Sequence, residues 1–286
     1  MPNDTLRLGN VEILALPDAH VDPSPWPLSM RFPHTPLESF EPYRSRYPDA
    51  FSAHGGPDDT PGTFTCYVVR SRGQIVLVDT GIGPAGTPMS GATGATGDLP
   101  QKLRARGVQP EEVNFVFLTH IHPDHIGWNI SNGQPTFPKA RYLVHQADWD
   151  AWQSAEVREI FGGFPELVEP LKGLGALDLL SGERELNAEL KTLHTPGHTP
   201  GSQSLLVTSA GERALIVGDA ISSPVHVVHP EWPYLFDMHA EVAADTRRDL
   251  LERLEAERMP FASSHFPVPG FGKVIRLEGR RYWQAL

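Results

Sequence analysis

The chain has 286 residues, with 24 Lys and Arg against 35 Asp and Glu and a net charge of −11. That length suits one large domain with its own core, and that charge argues against general binding to nucleic acid or to an anionic membrane. The single cysteine, Cys66, excludes an intrachain disulfide and a thiolate-rich metal site.

Met1-Pro2-Asn3-Asp4 shows no basic segment leading into an apolar run, and no window approaches about 18 apolar residues. The expectation is a cytoplasmic protein without a membrane span. Leu6 to His20 predicts a strand, with Val11, Ile13 and Leu16 apolar among polar neighbours. Residues 21–62 form a long loop rich in Pro and Ser that also carries Trp26, Met30, Phe32, Phe40 and Tyr43. Loops of this length are functional or disordered, and the aromatic content argues against disorder. Two strands follow, Phe64 to Arg70 and Gln74 to Asp79, joined at Arg72-Gly73. Residues 83–97 make a loop rich in Gly, Thr and Ala, and a short helix follows, with Pro100 near its start and Gly107 past its end. Buried strands are expected at 115–118 and 142–144, and an interrupted helical region at 147–175. Further strands fall at 190–193, 204–208 and 214–217, an amphipathic helix at 241–258 and a last short strand at 261–264. Strands and helices mix without strict alternation, which predicts sheets covered by helices rather than a doubly wound domain. The whole chain, 1–286, reads as a single domain. The loop 21–62 and an insertion at about 147–175 are its long excursions.

The chemistry concentrates in Thr119-His120-Ile121-His122-Pro123-Asp124-His125-Ile126-Gly127, directly after an apolar strand. His120 and His122 are two residues apart, so on an extended or turning backbone both can point the same way. Asp124 and His125 are adjacent and aim differently, so one loop can serve two neighbouring ions. Three more candidates end strands: His198 in Thr195-Pro196-Gly197-His198-Thr199-Pro200-Gly201, Asp219 in Ile216-Val217-Gly218-Asp219-Ala220, and His265 after Phe261-Ala262-Ser263-Ser264. A lone buried histidine is more often a satisfied core residue than a ligand. Seven such groups on strand-end loops are a different matter, because burying them without a metal carries a large desolvation cost. Imidazole and carboxylate without thiolate suit Zn, Mn, Fe or Co at a hydrolytic centre. If one carboxylate bridges, the set makes a two-metal site, and Asp219 is central enough to do so.

The T-H-x-H-x-D-H-x-G loop followed in order by P-G-H-T, G-D-A and S-H resembles the metallo-β-lactamase superfamily, from about residue 9 to the C-terminus. Leu77-Val78-Asp79-Thr80-Gly81 is similar to that family's early strand-turn motif, whose Asp supports the metal site without holding a metal. The resemblance implies an αββα sandwich: two mixed sheets face to face, helices on both outer sides, and the metal site at strand-end loops. It implies that His120, His122 and His198 hold one divalent ion, that Asp124, His125 and His265 hold the other, and that Asp219 bridges. Zinc is the first expectation, with Mn, Co or Fe as alternatives.

Within the superfamily the pattern resembles the methyl parathion hydrolase and quorum-quenching lactonase branches. The former is carried by His229-Pro230-Glu231 through Phe236-Asp237, by Arg247, and by Ser264-His265-Phe266-Pro267-Val268-Pro269-Gly270-Phe271-Gly272. Many acyl-homoserine lactonases carry a Tyr three residues after the bridging Asp; Ser222 stands there in this chain. The implied activity is hydrolysis of a lactone, carboxylic ester or organophosphate triester by a metal-bridging hydroxide, Asp124 passing a proton to the leaving group. The alternatives are a β-lactamase and an oxidoreductase similar to a mononuclear-iron persulfide dioxygenase. The partner is a small-molecule substrate in an apolar pocket lined by Trp26, Phe32, Trp152 and Phe164, with a homodimer contact as the other use of those aromatics.

Several motifs lead elsewhere. Gly81-Ile82-Gly83-Pro84-Ala85-Gly86 matches a dinucleotide fingerprint, but Pro84 and the Gly-rich loop deny it the helix it needs. Asp79-Thr80-Gly81 has no second copy to form an aspartic-protease pair, and no G-x-S-x-G occurs. Asn129-Ile130-Ser131 is a sequon without a visible signal peptide. His145 and His194 flank strands and are read as structural, or as supports behind the ligands, rather than as ligands.

Overall fold

Only Arg70 among the ten residues of the strand Gly62–Ser71 escapes burial, so both faces of its sheet must be covered. In the computed structural model, which describes residues 4–52 and 55–286, its side chains alternate between two apolar clusters. Tyr67 and Val69 join one, and Cys66 and Val68 join the other. The neighbouring strand Gln74–Val78 repeats the pattern, with Val76 and Val78 opposed to Leu77.

Among the described residues the first sheet has seven strands in the order Thr5–Leu8, Val11–Val21, Gly62–Ser71, Gln74–Val78, Phe115–Phe117, Arg141–His145 and Leu177–Leu180. Its first four strands are antiparallel and its last four run parallel. The second sheet, also of seven, runs Glu185–Asn187, Leu190–His194, Gln203–Ser209, Glu212–Ile216, Phe261–Ala262, Phe271–Leu277 and Arg280–Ala285. Ile13, Val69 and Val78 from the first sheet meet Leu205, Val207 and Ile216 from the second in the layer between them. Outside the first sheet, Leu99, Leu103, Trp149 and Leu171 cover it from short helices. Outside the second, Leu250, Leu251 and Leu254 of the helix Ala240–Ala256 do the same. This is the αββα sandwich.

Three details differ from the sequence expectations, and a fourth, the interrupted helical region 147–175, agrees with them. Leu6 to His20 divides into a hairpin, Thr5–Leu8 with Val11–Val21, at Gly9-Asn10. The strands Leu177–Leu180 and Glu185–Asn187 were not expected, nor was the C-terminal hairpin Phe271–Leu277 with Arg280–Ala285. The region 147–175 is four short helices, broken at Gly162-Gly163. The loop 83–97 contains one helical stretch, Pro88–Thr93. The long loop after Val11–Val21 is anchored on the second sheet's outer face through Phe40, Tyr43, Tyr47 and Phe51.

Candidate metal centre

Phe115–Phe117 lies between Gln74–Val78 and Arg141–His145, parallel to both, so the loop leaving it emerges at the carboxyl edge of the sheet. Asp79 braces that loop. One of its oxygens accepts from the Thr119 backbone N–H (2.7 Å) and the other from the Thr119 hydroxyl (2.9 Å), and the latter also accepts from His125 Nδ1 (2.8 Å). From the second sheet, Asp219 sits on the turn Gly218–Ile221. Gly218 there has φ +53°, and a Cβ would lie 2.7 Å from the Thr119 Cβ, so only glycine lets this turn approach the His loop.

Four loops and turns converge. His120 Nε2 lies 3.1 Å from His122 Nδ1, which lies 3.0 Å from His198 Nε2. Asp219 reaches the other side: its oxygens stand 3.4 Å from His125 Nε2, 3.5 Å from His198 Nε2 and 2.9 Å from His265 Nε2. Asp124 Oδ2 is 3.5 Å from His125 Nε2 and 3.3 Å from His265 Nε2. The seven sequence candidates thus form three overlapping groups of ligand geometry: His120, His122 and His198; His120, His125 and Asp219; Asp124, His125 and His265.

The outward nitrogens test whether this set suits a metal. The Thr119 hydroxyl donates to Asp79, so at 3.1 Å its oxygen accepts a hydrogen bond from the His120 Nδ1–H. His125 Nδ1 donates to Asp79, His198 Nδ1 to Asp237 (3.0 Å) and His265 Nδ1 to the Thr63 carbonyl (2.7 Å). Each outward hydrogen bond occupies Nδ1 and aims Nε2 inward, as the nitrogen a bound cation would take. His125 Nε2 and one Asp219 oxygen are buried without any hydrogen-bond partner. Inward ring nitrogens and carboxylates meeting in a buried place are what divalent cations require. The charges agree. Burial and the neighbouring imidazoles hold His120 and His122 well below the usual histidine range, keeping both neutral. Burial would also depress His125 and His265, but the carboxylates of Asp124, Asp79 and Asp219 around the first, and of Asp219 and Asp124 around the second, raise both well above it. The carboxylate half of the site favours positive charge.

The groups open on a cavity of ≈ 570 Å³ whose wall includes Trp26, Phe64, Phe161, Tyr234 and Phe236. That volume fits a small organic ligand. Trp26 is among the residues lining this cavity. Phe32, Trp152 and Phe164 are not: Phe32 borders only the side chamber beside Ser222, packed against Phe40 and Tyr234, while Phe164 lies in the core against Trp149, and Trp152 behind His122 and Phe161. Phe161, at the end of the next helix Ala155–Phe161 and stacked on His122 (centroids 4.3 Å apart), is the aromatic that faces the cavity. Ser222 turns its hydroxyl back to the Asp219 carbonyl (2.9 Å) and lines a side chamber of ≈ 20 Å³, room for about one water. His145 caps the helix Gln146–Ala151 and stacks on His194, outside the ligand groups.

Sequence reasoning missed the second support of the site. Asp237 accepts from His198 Nδ1 and, through its other oxygen, from Arg247 Nη2 (2.9 Å), with Arg247 wholly buried. The signal was present: Arg247 stands in the apolar stripe Ala243, Leu250, Leu254 of its helix, and a charge there demands a buried counter-ion. Asp148 holds the other flank of the His198 loop, accepting from the Gly201 N–H (2.6 Å) and the Thr199 hydroxyl (3.0 Å). The Gly81–Gly86 decoy is also explained. Its Ile82 and Gly83 N–H groups donate to the buried Asp18 carboxylate, at 2.8 and 3.2 Å, where a phosphate would have to sit.

Among known proteins, residues 59–263 match the family model described as the metallo-beta-lactamase superfamily. An N-acyl homoserine lactonase of a Bacillus species is 28% identical over 227 residues, which is 74% of this chain and 82% of that protein. A Bacillus subtilis protein, uncharacterized protein YobT, is 30% identical over 236 residues, 77% of this chain and 88% of that one. Among solved structures, AidC, a dizinc quorum-quenching lactonase in complex with a product, aligns with TM-score 0.83 at 22% identity, covering 99% of this chain and 96% of its own. The hydrolase AbOPH in the beta lactamase superfamily aligns with TM-score 0.83 at 23% identity and the same coverage. Both structural likenesses are likenesses of fold.

Proposed function

The chain belongs to the metallo-beta-lactamase superfamily, and we propose that it is a dinuclear metal-dependent hydrolase of ester-type bonds. Lactones come first among its substrates, ahead of carboxylic esters and phosphotriesters, because the curated relatives at this similarity include proteins named N-acyl homoserine lactonase. The observation that carries the reading is the tautomer pattern: four histidines with their outward nitrogens hydrogen-bonded and their inward nitrogens converging on two carboxylates. In this reading His120, His122 and His198 hold one divalent ion, Asp124, His125 and His265 hold the second, and Asp219 lies between. Zinc suits this nitrogen and oxygen set, and Mn, Co and Fe are its competitors.

When bound, such a pair supplies Lewis acidity and lowers the pKa of water toward 7. The chain's own groups do the rest. Asp79 and Asp237 keep protons on the outward nitrogens of His125 and His198, so the inward lone pairs stay directed at the site. Asp124 lies at the cavity wall and would carry a proton to the leaving oxygen. Phe161, Phe64 and Trp26 exclude water from an apolar limb of the substrate. We take 1–286 as one domain, in which the loop 21–62 and the segment 147–175 each supply part of the cavity wall. No helix among the described residues is long and apolar enough to cross a membrane.

The test is a panel of lactones, aryl esters, phosphotriesters and β-lactams, assayed after chelation and after reloading with Zn, Mn or Co. Metal-dependent turnover of lactones is expected. Hydrolysis confined to β-lactams, or activity indifferent to chelation, would contradict the reading.

A further inference from the structure

Arg31 is the cationic side chain of the cavity wall that the hydrolytic reading leaves unused. It ends the short helix Leu28–Arg31 and borders both the main cavity, with Asp124, Asp219 and Tyr234, and the side chamber beside Ser222. Two of its nitrogens are committed. Nε donates to the Trp26 carbonyl (2.9 Å) and Nη2 to the Ser24 hydroxyl (2.7 Å), which fixes the guanidinium plane. Both partners are neutral, and no carboxylate among the described residues pairs with it. The remaining nitrogen, Nη1, has no protein acceptor among the described residues and is not sealed from solvent.

A guanidinium withdrawn from water without a counter-ion is costly. Burial pulls the Arg31 pKa below the ordinary guanidinium value, and Tyr234 and Asp124 oppose this. The other charged residues bordering these spaces do not cancel it. Asp124 and Asp219 turn their oxygens to His125, His198 and His265, while Glu159 and Asp49 are exposed. A fixed planar donor with a free N–H pair, in a cavity of ligand size, is a site for an oxyanion.

We propose that Arg31 docks an oxyanion carried by the substrate, so that the favoured ester-type substrates bear a second, non-scissile acidic group such as a carboxylate. The substrate class rests on the hydrolase reading; the anion site itself does not. A carboxylate released by hydrolysis shares this chemistry, and the test separates the two sources.

Calorimetry on the metal-loaded protein compares succinate, glutarate and adipate with monocarboxylates of the same length, in wild type, Arg31→Met, Arg31→Gln and Ser24→Ala. In wild type the best-fitting dicarboxylate should bind about tenfold more tightly than its monocarboxylate. Arg31→Met should abolish that advantage, with Arg31→Gln as the second neutral variant should the first not fold. Ser24→Ala, which keeps the charge but frees the guanidinium plane, should reduce the advantage without abolishing it. Hemiesters of the same diacids should show the matching order in kcat/KM against neutral esters. An unchanged advantage in Arg31→Met or Arg31→Gln overturns the proposal. A variant that weakens mono- and dicarboxylates alike also overturns it, leaving a clamp for the loop or a product site. Arg31-dependent dicarboxylate binding without hydrolysis of any ester would uphold the anion site and sink the hydrolase reading.

Discussion

His198 Nδ1 and a carboxylate oxygen of Asp237 lie 3.0 Å apart, and the other oxygen of Asp237 is held by the buried guanidinium of Arg247 at 2.9 Å. A strand-end histidine of the second sheet is thereby tied to the helix that covers that sheet. Asp237→Asn leaves Arg247 buried without its counter-charge, and breaking such a pair costs about 3–5 kcal/mol. It also frees the His198 tautomer, for which a loss of about 10–100-fold in metal affinity is expected. Thermal melting and a chelator competition titration check the two effects separately. A variant with unchanged metal affinity would show that Asp237 serves only the fold.

Asp79 acts from the first sheet. Asp79→Asn keeps an acceptor for one of its donors and loses the charge that orients both Thr119 and His125. Metal affinity at the Asp124, His125 and His265 group should fall about 10–100-fold. Metal content after dialysis against a graded chelator series would reveal it.

The site's local part was legible because its ligand candidates are spaced by the chain itself: His120, His122, Asp124 and His125 need only one loop to meet. His198, Asp219 and His265 were legible because each follows a readable strand. Asp237, Arg31 and Tyr234 were not, because their roles depend on segments far away in sequence. The choice between Trp152 and Phe161 depended on where the broken helices 147–175 turn, which no periodicity encodes. The C-terminal hairpin was readable in principle. Glu278-Gly279 is a two-residue turn with both φ values positive, +49° and +82°, but Lys273, Arg276, Arg280 and Arg281 mask the strand pattern.

Asp219→Asn should depress turnover by about 100-fold, a larger effect than its effect on folding, which rests mainly on the sheets. Steady-state kinetics beside thermal melting gives the comparison. Near-normal turnover would exclude a bridging role.

Asp148 sets a pH dependence of known sign. Burial raises its pKa from 3.8 to about 6, despite hydrogen bonds from Thr199 and Gly201 that oppose the rise. The folded state therefore holds this proton more tightly than the unfolded one. Its contribution to stability is largest below pH 3.8 and is lost as pH rises toward about 6. The difference in unfolding free energy between wild type and Asp148→Asn should fall across that window, by about 1–3 kcal/mol. Denaturant titrations at several pH values measure it, and a flat difference would mean that Asp148 stays ionised.

The apolar cavity wall predicts a chain-length effect. Each buried methylene contributes roughly 0.8 kcal/mol, so three more on an acyl chain should raise kcat/KM at least about tenfold until the cavity fills. Phe161→Ala should flatten that slope, whereas Phe164→Ala should mainly lower stability, by about 3–5 kcal/mol. A flat series in the wild type would place the substrate's limb elsewhere.

The central claim is that seven side chains hold two metal ions, and the most direct measurement is elemental analysis of protein purified without chelator, paired with activity. Close to two equivalents of divalent metal per chain at full activity is the expected result. A stable single equivalent at full activity would contradict the dinuclear account.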